Sequence, residues 1–442
     1  MSTSRNSRRP SRPPSLRALA LAGLIAAGCL TAGCDDGKMA PGGTGGAVGA
    51  GGAGGAGIAA TATSVAILSS DYASTSVSLY TPRSGALSDG CAKSGVTSAT
   101  LTQPLSGNVV LPTQAQTGGA LVLLDGTTSV LTFVDPATCA ATAQLSVATG
   151  FKANPHDVVT LSSTKAYVTR YETNATPTAD PADFDEGDDL LIVNPTLLTV
   201  AGRIPLAAYA TPGLDGTPTQ ARPDRALLAG GLVYVTLNSI SPGFDAIGAG
   251  RVAIVDPTSD TVVGVIDLPN QKDCSGLTYL AATKKLYVAC GGAYTDANEV
   301  AESALVEVDL SGPAPVVGRV VQAAALGSGT DTLNLFYAAV LGDTAFVGTL
   351  GAYPATGFAG TPDAFYAVSL TTGTATKLAS GDAGNLGSAF VDSATNRVFL
   401  PDAFAKAPLV HVFDVSGAAP AELPGFEPNP STHLPPRSVA GL

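Results

Sequence analysis

Two stretches decide the architecture. Lys165-Ala-Tyr-Val-Thr-Arg-Tyr171 is followed by Leu190-Leu-Ile-Val-Asn-Pro-Thr196, and the pair returns as Leu232-Val-Tyr-Val-Thr-Leu-Asn238 and Val252-Ala-Ile-Val-Asp-Pro-Thr258. Each pair is an aromatic, β-branched strand and then a continuous apolar strand that runs into a turn. An Asp or Asn side chain can fold back onto the backbone two residues on, and Pro or Gly sets the φ of the turn. The same turn occurs seven times: at Tyr80-Thr81-Pro82, Asp135-Pro136, Asn194-Pro195, Asp256-Pro257, Asp309-Leu310-Ser311-Gly312, Leu370-Thr371-Thr372-Gly373 and Asp414-Val415-Ser416-Gly417. The spacing is 44 to 62 residues.

A strand precedes every one of these turn-ending runs. Five are aromatic, centred on Tyr167, Tyr234, Tyr287, Phe346 and Phe399, and the first two, Val65–Leu68 and Ala120–Leu124, are not. Apolar strands bounded by turns indicate sheets covered on both faces. A period of this length without helical segments indicates a β-propeller of four-stranded antiparallel blades. With strands labelled a to d, one unit reads Val158–Leu161, Lys165–Tyr171, Leu190–Asn194, Thr199–Leu206. Another reads Arg225–Leu228, Leu232–Asn238, Arg251–Asp256, Thr261–Leu268. Seven b/c pairs are present but only six internal a strands. The chain closes on Pro436-Arg437-Ser438-Val439-Ala440, which matches Pro155-His156-Asp157-Val158 and Pro223-Asp224-Arg225-Ala226. The expectation is an all-β, seven-bladed propeller over residues 63–442, closed by the C-terminal strand pairing into the first blade. Closure of this kind removes two open sheet edges.

Tyr167-Val168-Thr169 and Tyr234-Val235-Thr236, each leading to an Asx-Pro-Thr turn, resemble the YVTN-type seven-bladed propellers of bacterial surface and periplasmic proteins. The resemblance spans Ser64 to Leu442. It is specific for architecture and weak for function, since such propellers include binding modules, lactonases and quinoprotein-like subunits. The chain has no Trp, which sets it apart from Trp-Asp repeat propellers.

Residues 1–33 read as an address. Five Arg and no acid precede Ala18–Leu30, thirteen residues without charge. That run is too short to span a bilayer and fits the h-region of a signal peptide. It ends in Leu30-Thr31-Ala32-Gly33-Cys34, which resembles a lipoprotein lipobox with Cys34 as the lipidated residue. Cys29 is a second candidate, and an ordinary cleaved signal is the alternative. Residues 34–62 then form a tether: Pro41–Ala60 holds ten Gly in twenty residues and no charge. Removal of 1–33 leaves 18 Lys+Arg against 35 Asp+Glu. An acidic body is repelled by nucleic acid and anionic headgroups. Only 13% of the 442 residues are charged. Together these numbers exclude a coiled coil, a charged disordered chain and a basic nucleic-acid binder. The expected location is the bacterial cell envelope, with the membrane as partner through the lipid on Cys34. Asp35 after that Cys argues for inner-membrane retention in enteric bacteria, a rule that does not extend to all bacteria. The outer membrane or cell surface is the favoured reading.

Four further Cys are present. Antiparallel pairing about a turn near Ala281–Lys284 puts Cys274 opposite residue 290 or 291, so Cys274–Cys290 is expected as a disulfide. Cys91 and Cys139 are left to pair between the c–d connections of the first two blades. Zinc would need a different Cys spacing, since no CxxC pair exists. The loop Asp180–Asp189 carries six acids, and Asp183, Asp185 and Asp188 are candidate Ca²⁺ ligands, although the spacing is not that of an EF-hand. The alternative is a solvated acidic loop. No other cofactor is implied.

Strand starts on the b–c-loop face place His156, Asp157, Arg170, Tyr171, Asp224, Arg225 and Arg437 near one channel mouth, with Asp331 and His433 nearby. Tyr72, Tyr294, Tyr353 and Phe404 are expected at the same rim. Such a set is a candidate ligand site, and equally a network that satisfies strand ends. His411, in a c strand, reads as structural. No nucleophile elbow, zinc-protease, phosphate-loop or dinucleotide motif occurs, so no catalytic residue is assigned. The leading expectation is a tethered, non-enzymatic module for a small-molecule or protein partner. The alternatives are a lactonase-like hydrolase at the channel mouth and a cofactor-dependent dehydrogenase subunit.

Overall fold

The computed structural model describes residues 64–442 apart from 296, 328, 352–360, 383 and 405–406. Cys29, Cys34, the Gly-rich segment and Tyr353 lie outside the described residues. The strands form seven antiparallel sheets. From inside out, blade 3 is Pro155–Ser162, Lys165–Thr173, Gly187–Asn194 and Thr199–Pro205. Blade 4 is Pro223–Ala229, Leu232–Leu237, Ala249–Asp256 and Thr261–Lys272. Blade 5 runs from Cys274–Leu280 to Val316–Gln322. In blade 1 the innermost strand is Pro436–Gly441, paired with Val65–Ser70 in the register Val65↔Gly441, Ile67↔Val439. The chain is a seven-bladed β-propeller.

The apolar runs lie in the middle of each blade. Val65–Ser70 is buried along its whole length, whereas the outer strand Thr261–Lys272 begins with alternately exposed residues. Between blades 4 and 5, Val252, Ile254, Leu286 and Val288 pack into one cluster. Between blades 3 and 4, Val159, Leu190, Val233 and Val255 form another.

The Tyr-Val-Thr triplet stitches neighbouring blades together. The Thr169 hydroxyl accepts from Asp157 N (2.8 Å) and donates to Asp224 O in the next blade (2.9 Å). Thr236 repeats this one blade on, with Arg225 N (3.0 Å) and Ser275 O (3.0 Å). The Tyr167 hydroxyl donates to Asp260 in the c–d turn of blade 4.

A second stitch starts where the c strands of blades 2, 3, 5 and 6 begin. Ser129 accepts from Ala153 N, Asp188 from Ala221 N and Arg222 N, Ser303 from Leu333 N, and Asp363 from Leu386 N. In each case the donor lies at the start of the following blade. Blade 4 has Gly250 at this position, and a Cβ there would come 2.3 Å from Cys274 Sγ. The polar stitch is replaced by room for a disulfide.

Both disulfides are present as expected. Cys274 pairs directly across from Cys290. Cys139 is in the c–d turn of blade 2, but Cys91 lies within the outer strand Ala86–Lys93 rather than in a connection. The inner strands also run further than the apolar pattern indicates. Blades 3 and 4 start at Pro155 and Pro223, so His156, Asp157 and Asp224 are strand residues along with Arg225 of the expected strand.

Candidate functional site

A cavity of about 1050 Å³ occupies the central channel and is lined from all seven blades. Its polar wall follows from the repeat. The second residue of an inner strand is His156 in blade 3, Asp224 in blade 4, Ser275 in blade 5 and Arg437 in blade 1. Three of them form a chain around the ring. His156 Nδ1 lies 2.8 Å from Asp224 Oδ1, and the Ser275 hydroxyl donates to Asp224 Oδ2 at 2.8 Å. The His156 ring stacks on Tyr171 with centroids 4.2 Å apart. Arg225 Nη1 donates to Leu111 O and His156 O, and its Nε is 3.6 Å from Asp224 Oδ1. Burial alone would raise the Asp224 carboxyl, but His156, Arg225 and Ser275 outweigh it and hold it down to about 2.

Two further repeat positions complete the wall. Four residues after the repeat aromatic stand Tyr171 and Asn238, and both line the cavity. Just before the inner strand stand Asn154, Arg222 and Asp273, all with left-handed backbone (φ 49°, 48° and 49°); Asn154 and Asp273 line the cavity, and Arg222 lies behind them. Asn and Asp adopt that backbone readily, whereas Arg222 is strained there, and such strain gathers at functional sites. The Arg222 guanidinium lies between the rings of Tyr171 (5.0 Å) and Phe244 (4.2 Å) and pairs with Glu172. Asp273 accepts from Asn238 Nδ2 at 2.9 Å. Burial, then the nearby Asp224 charge, pushes its carboxyl up to about 7. Blades 5 and 6 add an apolar part to the lining, with Leu277, Leu335, Phe336 and Ala338.

Of the residues the sequence places at the mouth, His156, Tyr171, Asp224, Arg225 and Arg437 line the cavity. Arg437 stands apart from the others, over the Tyr72 ring at 4.8 Å and donating to Ser70 O. Asp157 and Arg170 do not line it. Asp157 accepts from Thr113 N and Ala226 N, tying blades 2, 3 and 4 together. Arg170 is 0% exposed and grips both oxygens of Asp189, at 2.7 and 2.6 Å. Tyr72 and Tyr294 line the cavity; Phe404 and Asp331 do not. His433 is exposed and bonds Glu427. His411 lies between Asp402 and Glu422, which raise its pKa against the effect of burial. Sequence reasoning missed Asn238 and Asp273; the equivalence of Asn238 with Tyr171, and of Asp273 with Asn154, was the available signal.

The acidic loop divides its carboxylates. Asp183 and Asp185 both accept from Thr178, whereas Asp188 turns to the backbone of Ala221 and Arg222. Asp189 takes Arg170 and Arg203. Among the described residues no three His, Cys, Asp or Glu side chains gather around one point as metal ligands.

No protein-family model matches this chain, and no curated protein matches it in sequence. Solved structures do match in fold. A Lactobacillus plantarum protein aligns at 11% identity and TM-score 0.53, over 86% of this chain and 99% of its own. A Bacteroides fragilis protein, to which the name 6-phosphogluconolactonase is provisionally attached, aligns at 9% identity and TM-score 0.51 over 87% and 99%. The β-propeller domain of Cps50 (Swd1) from Myceliophteria thermophila aligns at 10% identity and TM-score 0.50 over 77% and 92%. At these identities the likeness is one of fold alone.

Proposed function

We propose that this chain is an extracytoplasmic propeller, lipid-anchored through Cys34, that binds a small ligand in its central channel without transforming it. The Tyr-Val-Thr strands, which resemble the YVTN-type propellers of bacterial surface proteins, support the envelope setting, as does the lipobox-like Leu30–Cys34. One observation carries the binding reading: the channel holds a cavity of about 1050 Å³ whose lining combines charged and polar groups, His156, Asp224, Arg225 and Asp273 among them, with apolar ones such as Leu277, Leu335 and Phe336. Its polar groups are mounted on inner strands and cross-braced, as His156–Asp224–Ser275 is. Preorganised groups lower the ordering cost of binding, and a cavity of this size suits a small molecule. The test is a thermal-shift screen of small polar and amphiphilic compounds against the purified chain, with Arg225→Ala and His156→Ala alongside. Stabilisation by a compound that is recovered unchanged, and that both variants weaken, supports the reading. If no compound class stabilises the chain, the channel is not a binding site. For the anchor, Cys34→Ala should leave the membrane fraction.

A hydrolase is the second reading. It is favoured by one contact, His156 Nδ1 on Asp224, which would orient an imidazole as a general base. Turnover of lactones that His156→Ala abolishes would establish it.

A further inference from the structure

We propose that the channel selects ligands carrying a primary ammonium group on an apolar body, with the ammonium seated between Asp273 and the side-chain oxygen of Asn238. This rests on the channel being a small-molecule site and names the class of molecule.

The first observation is an orphaned acceptor. Asn238 is 2% exposed and lines the cavity. Its Nδ2 donates to Asp224 Oδ2 (3.3 Å) and to Asp273 Oδ1 (2.9 Å). Turning the amide over would aim its oxygen at two carboxylates, so the orientation is fixed. Oδ1 is then left buried with no hydrogen-bond partner among the described residues. Buried polar atoms in folded proteins are almost always partnered. An orphan on a cavity wall marks where a donor is missing.

The second observation is an uncompensated carboxylate. Asp273 is 2% exposed, and Asp224 and Glu299 bear on it with like charge. The cations around it are committed elsewhere. Arg222 is paired with Glu172 and held between two rings, Arg225 bonds two carbonyls, and Lys272 pairs with Glu302. His156 is bound to Asp224. Among the described residues no Lys, Arg or His is paired with Asp273.

The missing group must therefore donate to Asn238 and carry positive charge to Asp273. A primary ammonium has three N–H donors on one point charge and meets both demands. A quaternary ammonium cannot donate to Asn238, and a hydroxyl leaves Asp273 uncompensated. Tyr294, whose hydroxyl is shifted upward by burial and by Asp273, lines the same part of the cavity and offers a ring for the cation. Leu277, Leu335 and Phe336 line the same cavity and supply apolar surface for the body of the ligand.

Calorimetric titration of the purified chain with n-hexylamine and 2-phenylethylamine tests this, with hexan-1-ol, 2-phenylethanol and hexanoate as matched controls. Expected are amine dissociation constants below ~1 mM, at least tenfold tighter than the alcohols, with no binding of the acid. Asp273→Asn should weaken the amines at least tenfold and the alcohols little, because Asn adopts the left-handed backbone readily. Asn238→Leu should act in the same direction. Melting curves accompany both. Should either variant not fold, the wild-type pH dependence decides. The charged or titratable groups bearing on Asp273 are Asp224, Glu299, Tyr294 and Tyr171, and its own ionisation near pH 7 means amine binding should weaken toward tenfold per pH unit below that value. Alcohols that bind as well as amines, or an affinity indifferent to pH between 5 and 8 and to both variants, overturn the ammonium seat while leaving the cavity reading intact. If neither amines nor alcohols bind, while another compound stabilises the chain through Arg225 and His156, the ammonium proposal fails alone. If nothing binds at all, both fail.

Discussion

Burial and the nearby Asp224 push Asp273 up to about 7, from an ordinary value of 3.8. Between about pH 4 and pH 7 the native state therefore holds a proton that the unfolded chain has already released. Stability must fall as pH rises through that window and level off above it. Asp273→Asn removes the ionisation. The variant should melt close to wild type at pH 4 and above it at pH 8. An Asn variant that is less stable than wild type at pH 8 would mean that the carboxylate is compensated in the fold. Arg170 makes the opposite case. Its side chain is fully buried on Asp189, which also takes Arg203. Arg170→Ala leaves a buried carboxylate short of its main partner and should cost about 3–5 kcal/mol in denaturant unfolding. A loss under about 1 kcal/mol would mean that Arg203 alone compensates Asp189. The sequence shows charge at a strand end and cannot show which way it turns. Arg170 and Arg225 look alike there, yet one is walled in by its own blade's c strand and the other crosses to the carbonyls of blades 2 and 3. Asn238 is marked in the sequence only by its equivalence with Tyr171, because an uncharged amide gains meaning only once both neighbouring carboxylates are located.

Strand positions were legible because each blade buries its middle strands on both faces, which writes an unbroken apolar run. Strand ends were not. In blades 3 and 4 the inner strand continues two or three residues beyond the apolar pattern, through His156-Asp157 and Asp224, because these polar side chains are bonded across blades, Asp157 to Thr113 N and Ala226 N and Asp224 to His156 and Ser275. The Thr of the triplet reads as mere β-propensity, although it accepts from its own blade and donates to the next. Thr169→Val keeps the β-branched shape but leaves Asp157 N without its Thr partner and Asp224 O without its donor. Losing a buried hydrogen-bond partner typically costs about 1–3 kcal/mol, and chemical denaturation of Thr169→Val should show a loss in that range. Val in place of Thr236 should behave alike, since Arg225 N and Ser275 O are bridged in the same way. A neutral outcome at both sites would reduce the triplet to strand propensity alone.

At the scale of the ring, the seam between first and last blades carries the most strain on continuity. Pro436–Gly441 pairs along Val65–Ser70, and on its other flank Arg437 O accepts from Ser388 N (2.9 Å) while Val439 N donates to Ser388 O (3.1 Å). One strand thus joins blade 1 to blade 7. Its outward side chains add packing: Val439 falls in a cluster with Ile67, Phe399 and Val412, while Ala440 sits with Leu68 and Leu123 of blades 1 and 2. Deleting residues 436–442 would expose the edge of Val65–Ser70, open both clusters and leave blade 7 without its neighbour. The disulfide Cys91–Cys139 still ties blade 1 to blade 2, so the loosened blade cannot simply detach. Destabilisation should therefore spread: the truncated chain should melt at least about 10 °C lower in one broad transition, with accelerated amide exchange in blades 1 and 7 together. Exchange confined to Val65–Ser70, with melting within about two degrees of the full chain, would show that the C-terminal strand covers an edge without holding the ring closed.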